Sequence, residues 1–68
     1  MDTYTAVIER CRDTGMYLGY VPGFPGADSQ GETLDELNAN IREVIALLRE
    51  DGAPEKIGDY IGTQTVVL

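Results

Sequence analysis

Thr33-Leu34-Asp35-Glu36-Leu37-Asn38-Ala39-Asn40-Ile41-Arg42-Glu43-Val44-Ile45-Ala46-Leu47-Leu48-Arg49-Glu50 is the stretch on which the fold turns. Leu34, Leu37, Ile41, Val44, Ile45 and Leu48 recur at intervals of three and four, which sets one apolar stripe along a helix. Thr33 and Glu36 form a capping box: the hydroxyl can accept from the Glu36 amide while the Glu36 carboxylate reaches back to the Thr33 amide. Gly52 suits the position after the last turn, and Pro54 stops the helix from resuming. The spacing predicts a helix over residues 34–50. Its 17 residues span about 25 Å, close to the roughly 23 Å of a seven-residue strand, so one helix covers one strand-length of sheet.

Working outward, the residues before the helix change period. Thr3 to Arg10 alternates as a strand, with Tyr4, Ala6 and Ile8 on one side and Thr5, Val7 and Glu9 on the other. Cys11 to Gly15 carries turn chemistry, and Met16 to Val21 resumes an extended run, so the two strands read as a hairpin. Pro22-Gly23-Phe24-Pro25-Gly26 ends the second strand, because proline donates no ladder hydrogen bond and holds its predecessor extended. A short extended piece over Ala27 to Gly31 precedes the helix. After a polar connector from Ala53 to Tyr60, Ile61 to Leu68 reads as a closing strand. The expected order is β-β-β-α-β, an α+β layer pair with an antiparallel or mixed sheet and one helix on one face.

At 68 residues the chain makes one domain, 1–68, near the lower size limit for a self-sufficient core. A single cysteine excludes an internal disulfide, no signal-like segment opens the chain, and no apolar run reaches the ~20 residues that cross a bilayer. A cytoplasmic, membrane-free protein is expected. Net charge is −7, which works against direct binding to nucleic acid or anionic lipid. Histidine is absent, which removes the commonest metal ligand and general base. Neither a cofactor nor catalysis is expected.

The remaining chemical candidates have structural explanations. Asp28, Glu32, Asp35 and Glu36 cluster in sequence, but Asp35 and Glu36 complement a helix N-terminus without any metal. Cys11 stands between Arg10 and Arg12, whose charges would lower its pKa, yet no histidine or second cysteine completes a mechanism. The glycines of residues 21–26 alternate with prolines and lead to no lysine, which makes a rigid turn rather than a phosphate cradle. Phe24 is expected to pack under the helix, and Asn40, beside the apolar stripe, to hydrogen-bond the Pro-Gly loop. In the second strand Met16, Leu18 and Tyr20 face one way and Tyr17 and Val21 the other. Both sheet faces thus carry apolar groups while one helix covers one of them. The uncovered face, read here as that of Val7, Tyr17 and Val21, is expected to serve self-association, as a dimer or higher oligomer, or a protein partner.

Taken in order, Tyr17-Leu-Gly-Tyr-Val-Pro22, Phe24-Pro-Gly26, Gln30-Gly-Glu-Thr33 and the helix to Ile45 resemble the HicB-type antitoxin family, in which a Y-x-x-x-V-P-x-x-P-G segment and a Q-G-x-T-x-x-E-A-x-x-N-x-x-E-A helix recur. The resemblance covers nearly the whole chain. It departs at Ala27, where the family often has Cys, and at Leu37 and Val44, where Ala is common. It implies a partial ribonuclease-H-like fold without catalytic carboxylates that binds and masks a small basic, mRNA-cleaving HicA-type toxin. The alternative is a stand-alone homo-oligomeric binding or regulatory domain with no toxin. The matching positions Pro22, Pro25, Gly26, Gly31, Thr33 and Asn40 are expected to shape the fold. Exposed Glu32, Asp35, Glu36 and Glu43, with Tyr17 of the open face, are expected to meet the partner. Many members carry a C-terminal DNA-binding domain; with the last strand ending at Leu68, none is expected here.

Overall fold

Two proline-glycine pairs decide how the chain turns from the hairpin towards the helix. Pro22 and Pro25 each occupy the second position of a four-residue turn, and Gly23 (φ 76°) and Gly26 (φ 86°) each occupy the third. That pairing is the type II pattern, in which proline presets the first central φ and only glycine tolerates the second at little cost. The amide of Phe24 donates to the Val21 carbonyl (3.1 Å), and that of Ala27 to the Phe24 carbonyl (3.1 Å), closing two turns in tandem; the Val21 amide then bonds the Ala27 carbonyl at 2.9 Å. Phe24, shared by both turns, points inward, is buried, and meets Tyr4 with ring centroids 5.7 Å apart.

The computed structural model describes residues 2–52 and 57–68. Strands β1 (Val7–Arg10), β2 (Tyr17–Tyr20) and β3 (Asp28–Gly31) precede helix α1 (Leu34–Glu50). The sheet is antiparallel throughout, in the order β1-β2-β3. The expected order is met through the helix, with each strand shorter than its sequence pattern. A strand over 61–68 is not formed: these residues are exposed and pair with no edge of the sheet in their own protomer. Their Thr and Val enrichment is real, but strand propensity acts through packing partners, and here there are none. Pro54 and most of the connector before Ile57 lie outside the described residues.

Helix α1 begins and ends as its sequence dictates. The Glu36 amide donates to Thr33 Oγ1 (3.1 Å), while Glu36 Oε1 accepts from the Glu32 amide at 3.2 Å, one residue earlier than a capping box requires. At the other end Gly52 takes φ 71° and its amide bonds the Arg49 carbonyl at 3.2 Å. Leu37, Ile41 and Ile45 are buried and Val44 and Leu48 half-buried, whereas Leu34, in the first turn, remains exposed.

The core is Val21, Phe24, Ala27, Leu37, Ile41 and Ile45, flanked by Tyr4, Ala6, Tyr17 and Leu48. Two glycines let the helix approach. A Cβ on Gly19 would come within 2.8 Å of Ile41 Cδ1, and one on Gly31 within 2.7 Å of the Leu37 backbone nitrogen. The helix therefore lies over β2 and β3, where Gly19 and Gly31 leave room for its backbone and side chains. Asn40, expected on the Pro-Gly loop, instead donates from Nδ2 to the Gln30 carbonyl of β3 at 2.8 Å. Its place on the helix flank, rather than on the buried stripe, aims it at the sheet edge.

Candidate functional site

The strand register determines which side chains share a face. Val7 lies opposite Tyr20, which lies opposite Asp28; Glu9 lies opposite Leu18, which lies opposite Gln30. These two cross-strand rows occupy the face away from α1. Ile8-Gly19-Ser29 and Arg10-Tyr17-Gly31 occupy the face beneath it. The open face is thus a strip of Val7, Leu18 and Tyr20, with Glu9 and Asp28 at its margins, and a shallow depression lies between Glu9, Leu18, Tyr20, Asp28 and Gln30. Tyr20 is 46% exposed although it lies mid-sheet. An apolar strip with a polar rim is a composition found at association surfaces.

This assignment reverses part of the expectation from sequence. Val21 and Tyr17 belong to the covered face: Val21 is in the core and Tyr17 packs against it, with the Arg10 guanidinium 5.9 Å from the Tyr17 ring centroid. Alternation along β2 was legible, but which of the two faces takes the helix depends on Gly19 and Gly31, whose missing side chains carry no hydrophobic signal. Half-buried Leu18 and exposed Tyr20 lie on the open face instead.

The acidic residues expected to meet a partner do not converge on this strip. Glu32, Asp35, Glu36 and Glu43 are exposed, but three sit around the start of α1 and Glu43 lies two turns further on, all on the helix side of the sheet. Asp35 and Glu36 complement the N-terminal end of the helix dipole. Pro22, Pro25 and Gly26 build the tandem turn, Gly31 admits the helix, Thr33 caps it, and Asn40 ties it to β3.

No group of three His, Cys, Asp or Glu side chains among the described residues is placed to hold a metal ion. Cys11 has its thiol pKa lowered, chiefly by a hydrogen bond from the Thr14 side chain and then by the Thr14 and Asp13 backbone. The hairpin turn, not the flanking Arg10 and Arg12, is responsible. No helix among the described residues is long and apolar enough to cross a membrane.

Sequence comparison places these features in a family. The chain is 48% identical over 65 residues to the UPF0150 protein ssr1258 of Synechocystis sp. (strain ATCC 27184 / PCC 6803 / Kazusa), covering 96% of this chain and 93% of that protein. The chain belongs to the UPF0150 family. A UPF0150 protein of Archaeoglobus fulgidus is 38% identical over 63 residues, covering 93% of this chain and 90% of the relative. One of Thermotoga maritima is 36% identical over 64 residues, covering 94% and 79%. No family model and no solved structure matches the chain.

Proposed function

We propose that this UPF0150 protein is a HicB-like antitoxin module: it binds a small basic, mRNA-cleaving HicA-type toxin and acts by occlusion rather than by catalysis. The sheet and helix then represent a partial ribonuclease-H-like scaffold working in the cytoplasm without catalytic carboxylates. The observation that carries the reading is the open sheet face, where Val7, Leu18 and Tyr20 stand uncovered between Glu9 and Asp28. A basic RNA-binding surface presents the complementary charge. Net charge −7 adds long-range attraction that speeds encounter and falls with salt, while the apolar strip supplies the short-range contact. The resemblance of residues 17–45 to the HicB-type pattern supports the same partner class.

Coexpression with a small basic, RNA-cleaving protein of the HicA type tests the proposal. Copurification is expected, together with loss of the partner's RNA-cleaving activity in the complex. Failure to copurify, with RNA cleavage undiminished on mixing, would refute it.

A further inference from the structure

The hydrogen-bond phase of the sheet leaves one edge open. Antiparallel pairing sends a strand's amide and carbonyl groups alternately to its two sides. The Cys11 amide bonds the Met16 carbonyl at 2.8 Å, so Glu9 with Leu18 and Val7 with Tyr20 continue the bonded pairs, and the backbone groups of Ile8 and Arg10 point outward from β1. On the far side, the Val21-to-Ala27 bond sets the phase, and Asp28 and Gln30 point outward from β3. There the helix intervenes: Asn40 occupies the Gln30 carbonyl. Among the described residues the β1 edge has no such cover.

Beside that edge runs an apolar groove. Because α1 lies over β2 and β3, Ala6 and Ile8 face Leu34, Leu37 and Ile41 across a gap, leaving Ile8 49% and Leu34 53% exposed. The chain also carries a segment with the complementary deficiency. Ile61-Gly-Thr-Gln-Thr-Val-Val-Leu68 has strand composition but no strand partner, with Ile61 93% and Val67 87% exposed. Its root is fixed, since the Ile57 amide donates to the Gly23 carbonyl at 2.6 Å. Beyond that point the chain leaves its own body: the radius of gyration is 13.0 Å, against ~11 Å for a closed domain of this length.

We propose that residues 61–68 of one copy add as a strand to the β1 edge of a second copy, in a reciprocal two-fold exchange. Eight residues reach about 26 Å, enough to line the whole of β1. Ladder bonds form with Ile8 and Arg10, and alternate apolar side chains of the segment enter the groove between β1 and α1. The exchange completes two hydrogen-bond ladders at once and removes two exposed edges, the usual hazard of an open sheet. It uses the face and edge beside the helix, leaves the open strip of Val7, Leu18 and Tyr20 free, and does not depend on the toxin proposal.

Light scattering of the full chain tests it, with the variant Thr65→Pro/Val66→Pro alongside. Neighbouring amides of a strand point to opposite sides, so one of the two prolines removes a ladder donor whichever way the segment faces. The wild-type is expected at twice the 7.4 kDa protomer mass, and the double variant at the protomer mass with its helical far-UV circular dichroism bands retained. Amide exchange supplies a second readout: the Ile8 and Arg10 amides exchange at least about tenfold more slowly in the dimer than in the variant. A monomeric wild-type at every concentration overturns the exchange, and so does a dimer that survives both prolines. Protection of the Ile8 and Arg10 amides in a monomer also overturns it, because the segment, or another part of the chain, would then be covering its own edge.

Discussion

Gly31→Ala places a methyl group against the helix backbone, and the structure sets the size of the effect. The new Cβ would lie 2.7 Å from the Leu37 nitrogen, 3.0 Å from its Cα and 3.1 Å from the Glu36 carbonyl carbon. Ordinary contact begins near 3.4 Å, so α1 must retreat by roughly 0.7 Å, and no rotamer change can substitute for that retreat because every obstructing atom is backbone. Retreat lifts Leu37, Ile41 and Ile45, half of the six buried core residues, from the sheet. Overpacking of this kind costs about 1–3 kcal/mol, and the rigid obstacle puts Gly31→Ala at the upper end, about 3 kcal/mol. A core of this size rarely supplies more than about 3–5 kcal/mol, so the variant keeps at most about 2 kcal/mol and should unfold at a much lower urea concentration than the wild type. Gly19→Ala is the internal comparison: its Cβ would meet Ile41 Cδ1 at 2.8 Å and Leu37 Cδ2 at 3.1 Å, ends of flexible side chains that can swing aside, for a cost of about 1 kcal/mol. Gly62→Ala meets nothing within 4 Å in its own protomer, so it introduces no clash against the helix. Urea denaturation followed by circular dichroism at one protomer concentration reads all three. The reasoning is refuted if Gly31→Ala keeps the wild-type midpoint or loses less than Gly19→Ala.

Three smaller perturbations follow from the same contacts. Thr33→Ala removes the acceptor for the Glu36 amide and should lower stability by about 1 kcal/mol, measured as a shift in the urea midpoint, with Thr33→Ser and Thr33→Asp retaining most of it. Asn40→Ala should cost about 1 kcal/mol by freeing the Gln30 carbonyl, and hydrogen exchange in β3 should quicken more than in β1. Thr14→Val should slow alkylation of Cys11 at neutral pH: the native turn lowers the thiol pKa, so more thiolate is present below the ordinary range, and losing the Thr14 hydroxyl raises that pKa again. Equal alkylation rates in the two proteins would contradict this.

Much of the fold was legible in the chain because its signals are local. The cap at Thr33, the three-four spacing to Leu48 and Gly52 bound the helix at residues 34 and 50, where it is observed. The Pro-Gly pairs marked the turn, and Phe24 fell into the core as its apolar ring and turn position implied. The misreadings were non-local. The choice of sheet face rests on the absence of side chains at Gly19 and Gly31, which no hydrophobic pattern records, and it moved the exposed strip from Tyr17 and Val21 to Leu18 and Tyr20. The segment 61–68 has the composition of a strand, but composition does not specify a partner, and the segment pairs with no strand of its own protomer. Asn40 was placed on the right helix flank and given the wrong carbonyl, since the distance from Asn40 to Gln30 depends on how closely α1 sits on β3.

The account of function turns on which surface a basic partner covers. Amide NMR of the labelled protein, titrated with a small basic protein of the HicA type, locates that surface directly. Shifts and slowed exchange are predicted along Val7, Glu9, Leu18, Tyr20, Asp28 and Gln30, weakening as salt is raised, with Leu18→Lys/Tyr20→Lys reducing affinity by about 30-fold or more. Perturbation confined to Asp35, Glu36 and Glu43 on the helix side, or none at all, would contradict the claim that the open sheet face is the binding surface.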